Sequence, residues 1–240
     1  MGETLVVLDP LANLAQLEGV ASAVAAATAA VDAVLGDRGL RKVTEEQLSR
    51  ALLAGAQANA ALSGNPARWR VGALRLSAEL APLAALINVA PAQALARAHT
   101  LVARGVVPDS DLGKIGPQQE TADPEMAARM NSLAELLTRA TSAPAIVVGS
   151  VVHAEIAVVA PFGDASGLIA RAAEHLVLIA AGLDPYGVIV VEAGHAESAA
   201  SYSGALEAYA EGSVAGVKAW MLRCAAAVAR GAELSPIVGG

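Results

Sequence analysis

The sequence is poor in aromatic residues, with two tryptophans, three tyrosines and one phenylalanine in 240 residues, yet 55% of it is hydrophobic. The core must therefore be built from alanine, valine, leucine and isoleucine, with helices in close approach. A single cysteine, Cys224, excludes an intrachain disulfide and fits a reducing compartment. Positive charge is also short: Lys and Arg number 16 against 23 Asp and Glu, a net charge of −7. That balance argues against nucleic acid or an anionic membrane surface as the main partner, and it leaves a local phosphate site open. Met1-Gly2-Glu3-Thr4 lacks the positive start of a secretory signal. Residues 19–34 are mostly alanine, interrupted by Ser22, Thr28 and Asp32, and fall short of the ~20 apolar residues a membrane span needs. The expectation is a cytoplasmic protein with no membrane and no nucleic-acid partner.

What is present reads as helix. Residues 11–35 carry an alanine-rich helical pattern that ends at Gly36-Asp37-Arg38-Gly39, the one plausible domain boundary. The chain divides on this reading into an N-terminal helical arm (1–36), a main domain (37–232) and a short tail (233–240). Thr44-Glu45-Glu46-Gln47 is a capping box, so a helix starts there and runs to about Leu62, where Ser63-Gly64-Asn65-Pro66 stops it. Trp69, Val71, Leu74 and Leu76 alternate with polar or small residues, which suggests a two-stranded hairpin; a surface loop is the alternative. Pro91 and Asp123-Pro124 open two further helices. Residues 105–124, rich in Gly, Pro, Asp and Gln, read as a loop.

The chain is organised around residues 151–185: a long apolar run, a polar turn Pro161-Phe162-Gly163-Asp164-Ala165-Ser166-Gly167, and a second apolar run. Apolar residues at 168, 172, 176, 179 and 183 have helical spacing, so a helix begins near Gly167 with Asp164 or Ser166 as its cap. Free N–H groups and the helix dipole favour an anion there, and Arg171, one turn on, leans back toward it. The valine-rich stretch 145–159 and Gly187-Val188-Ile189-Val190-Val191 have strand propensity. However, the turn fits neither Gly-x-Gly-x-x-Gly nor a P-loop, and the run is too long for a typical strand.

Ala160-Pro161-Phe162-Gly163-Asp164-Ala165-Ser166-Gly167-Leu168-Ile169-Ala170-Arg171 resembles the core motif of the Fic (Fido) family, His-Pro-Phe-x-Asp-Gly-Asn-Gly-Arg-x-x-Arg. The flanking Val152-His153-Ala154-Glu155-Ile156 and Leu176-Val177-Leu178 with Ala181-Gly182-Leu183-Asp184-Pro185 resemble the family's flanks. The resemblance implies a mainly α fold, a helical bundle with a small β-hairpin flap, and makes 145–159 a buried helix. It implies AMP transfer from ATP to a protein hydroxyl, with Asp164 as magnesium ligand and phosphate held by Asp164, Ala165, Ser166, Gly167 and Arg171. It puts the flap, where a protein partner docks by strand pairing, at Arg70, Val71, Gly72, Ala73 and Leu74. The departures are chemical. The catalytic base position is Ala160, the first phosphate-binding Arg position is Leu168, Asn is replaced by Ser166 and the first Gly by Ala165. Neither Thr121-x-x-x-Glu125-Met126 nor Ser203-x-x-x-Glu207-Ala208 completes the family's inhibitory pattern.

The reading that follows is a degenerate Fic-fold protein impaired in AMP transfer, retaining weak phosphate or ATP/Mg binding at the helix start. Two alternatives stand beside it: an interaction module without nucleotide, homodimeric through its small apolar residues, and an active transferase with displaced residues. Loss of a positioned base alone removes a factor of about 10²–10⁴ in rate. Among the four histidines, His99, His153, His175 and His195, none has a partner at metal-binding spacing. His153 reads as a core histidine and Cys224 as a core residue. Glu174, three residues beyond Arg171, offers it an ion pair in place of phosphate.

Overall fold

The computed structural model describes residues 9–36, 43–116 and 123–237. Residues 5–8, the turn after Gly36, Thr121 and the last three residues of the tail lie outside the described residues. The helices are α1 (Pro10–Ala15), α2 (Val20–Gly36), α3 (Glu45–Ala61), α4 (Pro66–Ala78), α5 (Leu80–Ile87) and α6 (Pro91–Ala103), followed by α7 (Pro124–Thr138), α8 (Ala145–Val159), α9 (Ser166–Ala180), α10 (Val191–Glu197), α11 (Tyr202–Ala210) and α12 (Val214–Glu233). Among the described residues there is no strand, only an isolated bridge between Arg104 and Val107.

The antiparallel pair α8–α9 is the centre. Every residue from Ile146 to Ala154 is buried, as is every residue from Leu168 to Leu178. Helices apolar nearly all round belong in the middle of a bundle, and burial outweighs the few tenths of a kcal/mol per residue that valine costs in a helix. Helices α5 and α6 cover α9; α7, α11 and α12 cover α8; α10 bridges α3 and α12. Helices α1 and α2 belong to this core: Leu11, Ala15, Val20, Val24, Ala27 and Val31 are buried in it, and α2 lies along α12. The tail is held as far as Ile237, with Ser235 Oγ donating to Val188 O at 2.7 Å.

The capping box is present at α3, where Thr44 Oγ1 accepts from Gln47 N and Gln47 Oε1 from Thr44 N. The flap is not. Arg70, Val71, Gly72, Ala73 and Leu74 lie inside α4, which starts with Pro66 after Asn65, whose side chain accepts from Arg68 N. The buried positions Trp69, Gly72, Ala73 and Leu76 have helical spacing, while Val71 and Leu74 point outward. Gly72 is there for close packing: a Cβ on it would lie 2.0 Å from Val102 O of α6. Helix α10 is packed as closely on α12; a Cβ on Gly194 would meet Ala227 O at 1.9 Å. Before it, residues 188–190 are buried without strand pairing. Their N–H groups go to Asp184 Oδ1 and Oδ2 and to Gly231 O, which satisfies the requirement that buried backbone donors find partners.

Candidate functional site

The turn between α8 and α9 lies at the floor of a cleft of about 340 Å³. Its walls include Arg68, Trp69, His99, Lys114, Ala160 and Asp164. The loop after α6 forms one side and is tied to the turn by Gly116 N–H donating to Pro161 O at 2.8 Å. Ala160 closes α8 in the left-handed region, φ 50°, ψ 47°, the one described non-glycine residue with positive φ. A left-handed residue at this position takes up the last helical carbonyl, here Ile156 O. Its methyl group stands where the resemblance requires a base.

The helix start differs from expectation. Neither Asp164 nor Ser166 caps α9. A 3-10 turn, Gly163–Ala165, runs straight into the helix, so Ala165 N donates to Phe162 O and Ser166 N to Gly163 O. Those N–H groups are no longer free for an anion. Ser166 is buried and its Oγ accepts from Phe162 N at 2.9 Å. Asp164 is exposed and pairs with Arg68 at 3.1 Å. Ala165 and Leu168 are in the core.

Arg171 leans back as expected: a Cβ on Gly167 would sit 3.5 Å from its Nη1. But the side chain is 1% exposed and turned inward. Its Nε donates to Asn59 Oδ1 at 2.7 Å, Nη2 to Asn59 O at 3.3 Å and Nη1 to Tyr202 Oη at 3.3 Å. Asn59 Nδ2 donates to Leu168 O, fixing the amide on the first turn of α9.

From Tyr202 a buried polar chain continues. Tyr202 Oη is 2.6 Å from His153 Nε2, and His153 Nδ1 is 2.6 Å from Glu174 Oε2. That same oxygen is 2.7 Å from His195 Nε2. Glu174 thus turns to two histidines rather than to Arg171. Burial lowers the His153 pKa to about 4 against the pull of Glu174. Burial alone would raise the Glu174 carboxyl, but His195 and His153 outweigh it and hold it well below the usual range. Next along α9, His175 sits between Asp184 (3.0 Å) and Glu192 (3.2 Å). Burial disfavours its charge, yet Glu192 and Asp184 raise its pKa to about 10.

Sequence reasoning missed three features. The first is the cleft cations Arg68 and Lys114, which the hairpin and loop readings put elsewhere. The second is His99, whose ring packs on Phe162 at 4.9 Å and whose Nδ1 accepts from Gly113 N at 3.2 Å. The third is the gathering of His153, Glu174, His195 and Cys224, which share no local spacing.

No protein-family model matches the chain, and no curated protein matches it in sequence. Among solved structures, it is similar to the crystal structure of a Fic family protein from Desulfovibrio desulfuricans G20, with a TM-score of 0.66 and 18% identity, over 89% of this chain and 73% of that one. At that identity the likeness is one of fold: the chain has the mainly helical Fic fold. No described helix is long and apolar enough to cross a membrane.

Proposed function

We propose that this is a Fic-fold protein impaired in AMP transfer. The observation that carries the reading is Ala160, a methyl group at the turn position that the resemblance assigns to the proton-accepting histidine. Three arrangements support it. Arg171 is committed to Asn59 and Tyr202, Leu168 is packed in the core, and Asp164 is paired with Arg68. These residues do not fit a magnesium–nucleotide held as the resemblance implies. What remains for a phosphate-bearing ligand is weak attraction by Arg68 and Lys114 in the open cleft, offset there by Asp111 and Asp164. Partner docking by strand addition at residues 70–74 loses its basis, because they are helical.

A labelled-ATP transfer assay on the full chain with magnesium and a cell lysate is expected to give no protein labelling. Labelling above background contradicts the reading. A second reading, transfer with a displaced base, rests on His99, which lines the same cleft, whose pKa burial lowers against the pull of Asp111, and whose ring must give up its bond from Gly113 N to accept a proton. It requires labelling that His99→Gln abolishes.

A further inference from the structure

Behind the motif turn, on the inner side of Arg171, four helices bring His153 (α8), Glu174 (α9), His195 (α10) and Cys224 (α12) together. One nitrogen, oxygen or sulfur from each lies within 4.8 Å of all the others. All four residues are 0% exposed, and none lines the cleft above the turn. We propose that they form a structural zinc site that pins α8, α9, α10 and α12.

The donor set is two imidazoles, a thiol and a carboxylate, a combination suited to zinc. Tetrahedral zinc with bonds of about 2.0–2.3 Å spaces its ligand atoms about 3.3–3.8 Å apart. His153 Nδ1 and His195 Nε2 already crowd one Glu174 oxygen at 2.6 and 2.7 Å. Seating an ion between them therefore requires these atoms to part by roughly 1 Å. A separate observation points to a missing ligand. Glu174 Oε1 is buried and has no partner, although Oε2 has two. An unmatched carboxylate oxygen is costly in an apolar interior, and a cation beside it supplies what it lacks.

The surroundings of His153 suit a bound ion, whereas His195 Nδ1 is buried without a partner. His153 presents Nδ1 to the cluster while Nε2 meets Tyr202 Oη, itself held by Arg171. Ligating histidines are oriented in this way through their second nitrogen. With Nδ1 on the metal, Nε2–H donates to the tyrosine oxygen. Charge closes as well: the zinc dication is matched by the Glu174 carboxylate and a Cys224 thiolate. Binding forms a Zn–S bond and releases the thiol proton to water. The site sits apart from any nucleotide chemistry, so its test stands independently of the transfer assay.

The experiment is elemental analysis of the full chain, prepared without a histidine tag and dialysed against metal-free buffer. The expected result is close to one zinc per chain, reduced at least tenfold in Cys224→Ser and His195→Gln. Should those variants not fold, the wild type decides alone. Denatured with chelator and refolded with cobalt(II), it should show thiolate-to-cobalt charge-transfer absorption and melt several degrees higher than when refolded without metal. A wild type that carries zinc far below stoichiometry, and refolds to the same melting temperature with no cobalt–thiolate absorption, overturns the proposal. The cluster is then the hydrogen-bonded chain Tyr202–His153–Glu174–His195 and nothing more.

Discussion

At the residue scale, Arg171 and Ala160 carry most of the account. Arg171 satisfies the Asn59 side chain and carbonyl and the Tyr202 hydroxyl inside the protein. Removing it strands Asn59 Oδ1 and the Asn59 carbonyl, each an unmatched buried polar atom costing about 1–3 kcal/mol, while Tyr202 Oη keeps His153. Arg171→Met should therefore lower unfolding stability by about 2–4 kcal/mol in urea titrations. Asp164→Ala breaks only an exposed pair and should change stability by less than about 1 kcal/mol. Comparable losses from both would mean that the arginine is not structural. Ala160 holds a left-handed backbone that costs a non-glycine residue roughly 1–2 kcal/mol. Ala160→Gly should thus raise stability by about 0.5–1 kcal/mol after the unfolded-state entropy of glycine is subtracted; a loss of that size would contradict the conformation. Restoring the motif residue at Leu168 is expected to destabilise the core rather than repair the site. Leu168 is 1% exposed, so Leu168→Arg puts an unpaired charge in the core.

At the element scale, α4 shows what the sequence conceals. Its alternation of Trp69, Val71, Leu74 and Leu76 counted two residues, Val71 and Leu74, that lie on the outer face, while Gly72 and Ala73, which do face the core, carry almost no hydrophobic signal. Gly72→Ala places a methyl group against Val102 O and should cost about 1–3 kcal/mol or more through forced helix separation. A hairpin would tolerate the change, so an unaltered denaturation midpoint would reinstate it. By contrast, the α3 start was legible because capping is local, and the buried α8–turn–α9 pair through its resemblance to the Fic motif, since the valines of 145–159 by themselves favour strand. The polar interior was not legible. His153, Glu174, His195 and Cys224 come from four helices, and only the packing of those helices makes them neighbours. Helix α1 offers a pH test. Asp9 caps it and also accepts from Ser142 N and Thr141 Oγ1. These bonds, that from Ser142 N foremost, hold its pKa at about 2 against a usual 3.8. A carboxyl depressed in the folded state contributes fully above the unfolded value and is lost as pH falls through the folded one. The stability gap between wild type and Asp9→Asn, measured by denaturant titration, should be constant above pH 4 and close toward pH 2. A gap that persists unchanged at pH 2 would contradict the clip.

At the scale of the whole molecule, a bundle short of aromatic residues closes through glycine and alanine contacts, and its centre holds an ordered set of charges where an apolar core would be expected. Composition anticipated the first half of this and was silent on the second. The fold is that of Fic proteins, yet the Arg171 guanidinium is bound to Asn59 and Tyr202 rather than open to a nucleotide. The most direct test of this claim is thermal unfolding of wild type and Arg171→Met with and without ATP and magnesium. If the arginine is structural, the substitution lowers the melting temperature and nucleotide shifts neither protein. Saturating ligand at 100 times its Kd would stabilise a true binder by about 2.7 kcal/mol. A melting temperature raised by ATP in the wild type and unmoved in Arg171→Met would contradict the account.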